Sequence, residues 1–361
     1  MRVSIDMRHV DDGRALASGI ALARQARMPH SIEEIQPSDH PLALDELIGG
    51  DRPVVMRGLC GDWPIVASAR QSDTAFARAL AAFDNGTPVD TLLLPHDADG
   101  VIGYNADFSA FNYEHYRVSV TQVLQRLGSA SRLTDPPGIA LQSASIPECL
   151  PGFAETHRLA LLAPAIQPRL WIGNRVTTPV HFDEYHNIAV VIGGRRRFTL
   201  FPIEQIGNLY IGPLEFAPTG AAIGTARLDR LDDPRYPRLR DAMAHAQQAE
   251  LEPGDAIYMP PLWWHHVESL QRLNALVNYW WRPSPRDVYS ADTSLGGLMH
   301  CILAFRTLPP TQRAAWRKVL EHYVFDDEPP VAHLPADRRG MLGEITPQLA
   351  AELKDRIRRY L

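Results

Sequence analysis

The apolar positions change their period along the chain. An Arg- and Ala-rich stretch up to about residue 30 predicts a helix over 13–27, closed by Pro29. Pro53-Val54-Val55-Met56-Arg57-Gly58 reads as a short buried strand ended by glycine. The alanine-rich segment 73–83 predicts a second helix. Val120, Val123, Leu124 and Leu127 share one face of a third.

From about 139 to 281 the pattern shifts to short strands punctuated by Gly, Pro and Asn. Ile188-Ala189-Val190-Val191-Ile192 predicts a central strand, Gly193-Gly194 a hairpin turn, and 197–201 a returning strand. Three more strands are predicted over 255–259, 264–270 and 275–281. Many short strands with turn signals imply a mainly β fold with flanking helices, a barrel or double-sheet jelly roll. The Pro- and Arg-rich connection 203–250 exceeds a plain turn and is expected to act as a lid or substrate loop.

After Pro285 the chain turns helical again. Trp316, Val319, Leu320 and Tyr323 form one stripe. Thr346 caps a last helix with Pro347 at its first position, and Leu349, Leu353 and Ile357 recur along it. A terminal amphipathic helix must bury its apolar face, either on a core or in a homodimer seam. The expected organisation is an N-terminal helical extension (1–30), a β domain (31–285) and a C-terminal helical region (286–361).

Composition narrows the classes. The 361 residues suit two domains or one large domain with appendages, and 45% hydrophobic with 22% charged residues fits a globular chain. A net charge of −6 argues against nucleic acid as a partner. Lys318 and Lys354 are the only lysines, so nothing upstream of residue 318 can form a Schiff base or serve as a P-loop lysine. Cys60, Cys149 and Cys301 form no CxxC pair and read as buried reduced thiols. No apolar run approaches the length of a signal peptide or a membrane span, so a cytoplasmic protein is expected.

The chemistry centres on His181-Phe182-Asp183. Residues two apart in a strand point to one side, so imidazole and carboxylate converge. With a distant second histidine they form the two-histidine, one-carboxylate set that leaves positions open on Fe(II). The motif alone is weak, and His9-Val10-Asp11 is a decoy within the same chain. What distinguishes His181 is the downstream run Pro260-Pro261-Leu262-Trp263-Trp264-His265-His266-Val267-Glu268. Either His265 or His266 supplies the third ligand, but not both, because neighbours in a strand face opposite ways.

Together these blocks resemble the JmjC-related, cupin-like family of Fe(II)- and 2-oxoglutarate-dependent oxygenases, in particular the branch containing the asparaginyl hydroxylase of hypoxia-inducible factor. The resemblance spans about 53–281, through Pro53–Gly58 with Trp63-Pro64, the 178–202 block and the Trp-Trp-His-His run. It implies a double-stranded β-helix (jelly roll, cupin) core, and His181, Asp183 and His265 as the iron ligands. It also implies that Thr178 helps hold the distal carboxylate of 2-oxoglutarate, that Asn187 and Asn278 lie near co-substrate and metal, and that Trp280 walls the iron. Two positions depart from the family. Arg196 stands where the branch usually carries the lysine that pairs with the co-substrate, and a bidentate fork suits a carboxylate. Ala140 stands where a tyrosine would reach it.

The implied activity is hydroxylation of a C–H bond with succinate and CO2 as co-products. A protein or peptide side chain is the expected substrate, with a small molecule next and nucleic acid disfavoured. Tyr104, Phe108, Phe111 and Tyr113 either line a peptide groove or belong to the core. Two other readings keep the barrel: a metal-binding cupin without oxygenase activity, and an isomerase or dioxygenase using extra histidines such as His186 and His266.

Overall fold

The computed structural model describes residues 29–37, 42–282, 292–327 and 330–360. The helix expected over 13–27 and the His9-Val10-Asp11 decoy lie outside them. The chain divides into two units, 1–281 and 282–361.

Fourteen strands are described in the first unit. They begin with β1 (His30–Ser31), β2 (Glu33–Ile35), β3 (Val54–Met56), β4 (Val89–Leu94) and β5 (Glu114–Val118). There follow β6 (Gly138–Ser145), β7 (Pro168–Gly173), β8 (Thr177–His181), β9 (His186–Gly193) and β10 (Arg196–Phe201). The last are β11 (Gln247–Leu251), β12 (Ala256–Met259), β13 (Trp264–Ser269) and β14 (Asn274–Trp281). One sheet has the order β1-β11-β10-β13-β8; the other, of nine strands, runs β2-β3-β12-β9-β14-β7-β6-β4-β5. From β7 to β14 the chain passes repeatedly between the two sheets, which makes the double-stranded β-helix. Strands β4 and β5, which the sequence pattern did not separate, extend the larger sheet.

The alternation of apolar residues fills the space between the sheets. Ala189, Val191, Ile257, Met259 and Leu276 from the nine-stranded sheet pack with Phe198, Leu200, Leu251 and Val267 from the other. The opposite face of the nine-stranded sheet is covered by helices Pro64–Gln71, Asp73–Ala81 and Val120–Ala130. The last of these starts in a capping box, with Ser119 and Gln122 each satisfying the other's backbone N–H.

The early motif closes the fold. Gly58 ends β3 at φ +66, and its N–H donates to the carboxylate of Asp255 at 2.9 Å. Arg57 donates to the same carboxylate at 2.7 Å, tying β3 to the Pro253-Gly254-Asp255 turn.

One expectation is corrected. Gly193-Gly194 is not a hairpin turn, because β9 and β10 are not neighbours and belong to different sheets. Gly194 sits at φ +69, where a Cβ would overlap the Leu273 carbonyl oxygen. The tight turn hands the chain from one sheet to the other. A second correction concerns the thiols: Cys60 and Cys149 are buried, but Cys301 is half-exposed.

The second unit holds helices Asp292–Phe305, Pro310–Leu320 and Pro347–Tyr360. Thr346 Oγ1 accepts from the Leu349 N–H, as its capping role requires. The apolar stripes are incompletely covered: Trp316, Val319, Tyr323 and Ile357 are exposed, while Leu349 and Leu353 are half-buried. No helix among the described residues is long and apolar enough to cross a membrane.

Candidate metal centre

His181, Asp183 and His265 each place a ligand atom within 4.8 Å of the others'. His181 is the last residue of β8, and Asp183 lies in the turn just beyond it. Phe182 between them turns away and meets Trp264 edge-on at 4.8 Å. His265 on β13 is paired directly with His181, with ring centroids 4.1 Å apart.

Both imidazoles are oriented by backbone. His181 Nδ1 lies 2.8 Å from the Pro179 carbonyl, and His265 Nδ1 lies 3.1 Å from that of Trp263. A carbonyl only accepts, so Nδ1 carries the proton in each ring and the Nε2 lone pair is free for a metal. Burial holds the His265 pKa well below the usual histidine range, reinforced by His181 and opposed by Asp183. The ring is therefore neutral near pH 7, as a ligand must be.

Asp183 is held from behind. Trp280 Nε1 donates to its Oδ2 at 3.0 Å and Asn187 Nδ2 to the same oxygen at 3.1 Å. Asn278 Nδ2 donates to Asn187 Oδ1 at 3.3 Å, and Trp171 Nε1 donates to Asn278 Oδ1 at 2.8 Å. All four side chains project between the sheets from β7, β9 and β14. Asn187, Asn278 and Trp280, expected near metal and co-substrate, thus form a chain that ends on the triad carboxylate of Asp183. Trp171 is the member the sequence reading missed. Its signal was an inward-facing tryptophan whose N–H needs a partner.

Thr178 precedes His181 by three residues, a spacing that regular alternation would place on opposite faces. A register shift between His265 and Val267 resolves this. His181 is paired with His265 and Thr178 with Val267, so a bulge in β8 sets both on the inner face.

Arg196 also points inward. Leu200, Phe198 and Arg196 are paired with His265, Val267 and Ser269, which places Arg196 about 13 Å along the strand from the level of His265. Only 7% exposed, its Nε has no hydrogen-bond partner. Burial alone acts on its pKa, pulling it down to about 10. An unpaired buried cation is costly unless an anion arrives to pair with it. A diacid reaching from the triad toward Arg196 supplies that anion, so the residues present fit both Fe(II) and 2-oxoglutarate. Arg195 and Arg197 face away; Arg197 pairs with Glu250 at 2.7 Å and Glu268 at 3.5 Å. Ala140 packs in a small apolar cluster with Leu92, Leu94, Ile102 and Val176 and offers the site no hydroxyl.

The extra histidines are not part of the triad. His186 Nδ1 lies 2.8 Å from the Tyr258 hydroxyl, and its ring stacks on Trp281. His266 faces the outer side of the five-stranded sheet, and burial pushes its pKa down to about 3. Tyr104, Phe111 and Tyr113 are half-buried and Phe108 is 41% exposed; all four line an open cavity, and Tyr113 also packs against the Leu92–Ala140 cluster.

A double-stranded β-helix whose inner face carries a two-histidine, one-carboxylate triad and a buried unpaired arginine defines a cupin of the Fe(II)/2-oxoglutarate oxygenase type. Residues 41–287 match the cupin-like domain family, and the chain belongs to it. Several of its relatives carry Jumonji or JmjC names. It is 36% identical over 118 residues to Jumonji C domain-containing protein 5 of Drosophila melanogaster, covering 32% of this chain and 28% of the relative. It is 29% identical over 147 residues to human HSPB1-associated protein 1, covering 40% and 30% of the two chains. It is 32% identical over 103 residues to lysine-specific demethylase JMJ31 of Arabidopsis thaliana, covering 28% and 18%. The matched segments thus span less than a third of each of these relatives.

Proposed function

We propose that the chain is an Fe(II)- and 2-oxoglutarate-dependent hydroxylase acting on a protein or peptide side chain. The observation that carries this reading is Arg196, a buried inward-facing cation with an unsatisfied Nε on the same inner face as the triad. A metal-binding cupin without the co-substrate has no use for such a group.

His181, Asp183 and His265 would hold the iron, with neutral Nε2 donors and one carboxylate. When bound, Fe(II) together with 2-oxoglutarate and O2 supplies the oxidant that converts a substrate C–H to C–OH, with succinate and CO2 released. Arg196 would take the distal carboxylate in its guanidinium fork, and Thr178 would add a hydroxyl from the facing strand. Trp280 and Asn187 fix the rotation of Asp183, so that the carboxylate does not swing as charge at the centre changes. Apolar side chains from both sheets exclude water from the inner face. The alanine at 140 leaves the co-substrate with one fewer hydroxyl partner.

A protein substrate is supported by the relatives. One is named as a lysine-specific demethylase and another as HSPB1-associated. Exposed Trp316, Val319, Tyr323 and Ile357 on the C-terminal helices support a homodimer, tested by the mass of the chain in solution.

The test is aerobic incubation with Fe(II), 2-oxoglutarate and panels of peptides, N-methylated peptides and small molecules. Succinate released in step with one added oxygen on an unmethylated peptide supports the reading. Formaldehyde from methylated peptides makes it a demethylase, and turnover confined to small molecules removes the protein substrate. No succinate above a His181→Ala control in any panel rejects the oxygenase.

A further inference from the structure

A cavity of about 970 Å³ lies apart from the metal triad. It lies against the outer face of the five-stranded sheet, floored by Thr177, Arg197, Thr199, His266 and Glu268. Three of these are chain neighbours of residues on the metal side: Thr177 of Thr178, Arg197 of Arg196, His266 of His265. Strand alternation therefore sets two sites back to back on β8, β10 and β13.

The arginines around this cavity are already paired, while the exposed carboxylates of Asp97 and Glu114 at its rim are not. Arg227 donates to Asp229 and Asp99 at 2.7 Å each, Arg230 shares Asp99 at 2.7 Å, and Arg197 bridges Glu250 and Glu268. An anionic ligand would have to displace an ion pair to reach an arginine, whereas an uncharged one would not.

Hydrogen-bonding capacity, by contrast, is left over. His266 is more than nine-tenths buried, lines the cavity, and its Nδ1 has no partner. Thr199 is paired with His266 across the strands, and its Oγ1 accepts from Gln248 Nε2 at 2.9 Å, leaving the hydroxyl proton to be donated.

One wall is aromatic. Phe111 lies parallel to Tyr113, with centroids 5.4 Å apart and planes at 8°, and parallel to Phe216 at 4.4 Å and 11°. Phe108 is held at φ +61, a costly backbone region for a bulky side chain. Asn105 enforces it, exchanging backbone bonds with Ala110 and Phe108 while its side chain takes the Ala110 N–H. A bridge between Val101 and Thr177 joins this loop to the cavity floor.

We propose that this cavity is a second binding site, for an uncharged planar heteroaromatic ring with donors and acceptors on its edge, as in a nucleoside. The ring face stacks on the Phe111–Tyr113 wall, and the edge reaches His266, Thr199 and Gln248. Parallel rings select a flat ligand, the paired arginines disfavour an anionic one such as a nucleotide, and the cavity volume admits it. The site needs neither metal nor 2-oxoglutarate.

The experiment uses the metal-free full chain, with adenosine, guanosine, cytidine and uridine titrated by calorimetry and saturation-transfer NMR. Methyl glucoside serves as the comparison ligand. The expected result is saturable one-to-one binding of at least one nucleoside, with saturation transferred to its base protons. Phe111→Leu, which keeps bulk but loses the flat ring, and Thr199→Val each weaken binding at least tenfold in protein whose melting temperature is retained. Addition of 2-oxoglutarate does not displace the nucleoside. The proposal is overturned by absence of saturable binding, by preference for methyl glucoside, by displacement with 2-oxoglutarate, or by full affinity in both variants.

Discussion

The Trp280 indole donates to Asp183 Oδ2 at 3.0 Å, across the interior between β14 and the turn after β8. A residue read as a wall beside the iron thus also holds the carboxylate of the triad. Trp280→Phe keeps the ring and removes the donor, so the fold should persist while Fe(II) affinity falls about 10- to 100-fold. Titration with Fe(II) or Co(II) under anaerobic conditions measures this. Unchanged affinity would show that Asn187 alone fixes the carboxylate.

Arg196 separates stability from function. Arg196→Met replaces a buried unpaired cation with an apolar chain of similar reach. The variant should be more stable than the parent by about 1–3 kcal/mol in the absence of co-substrate. It should also lose 2-oxoglutarate binding by at least tenfold, whereas Arg196→Lys restores part of it. Denaturant melts and co-substrate titration on the same samples give both numbers. A destabilised Arg196→Met variant would mean that the cation is already paired.

The buried histidines predict acid lability. His265 and His266 have pKa values lowered to about 4 and about 3 from 6.5, chiefly by burial. The unfolded chain therefore binds more protons than the folded one below about pH 6.5. Stability is full above that pH and is lost as the pH falls toward the folded values. By pH 5 each histidine should remove about 2 kcal/mol. Thermal melts of the metal-free protein from pH 7.5 to 4.5 test this, and His266→Gln should flatten the profile. A profile unchanged by that substitution would place the acid transition elsewhere.

Gly194→Ala probes the crossover between the sheets. The new Cβ would meet the Leu273 carbonyl, and the position has φ +69. A loss of roughly 3 kcal/mol or more is expected, against less than about 1 kcal/mol for Gly128→Ala, where a Cβ meets nothing within 4 Å. Equal melting temperatures would contradict the crossover geometry.

The inner face of the barrel was legible because its signals are local. His181 and Asp183 are two residues apart, His265 follows a tryptophan pair, and most strands alternate in plain view. Thr178 was placed by resemblance alone, since only the bulge in β8 puts a residue three positions from His181 on the same face. The double glycine at 193–194 looked like a hairpin because the chain reverses there. Which sheet the next strand joins depends on β11 and β13, about 50 and 70 residues downstream in register with β10. Trp171 and the outer cavity were invisible for a similar reason. Each is assembled from segments far apart in sequence, and no single run of residues carries its pattern.

On this reading 2-oxoglutarate spans from a metal held by His181, Asp183 and His265 to the guanidinium of Arg196. The most direct test is the visible charge-transfer absorption of the Fe(II) protein on anaerobic addition of 2-oxoglutarate. A saturable band is expected in the parent chain, shifted to at least tenfold higher 2-oxoglutarate concentration in Arg196→Met and absent in His181→Ala. A parent chain that binds Fe(II) but develops no band, or an Arg196→Met variant with unchanged half-saturation, would contradict it.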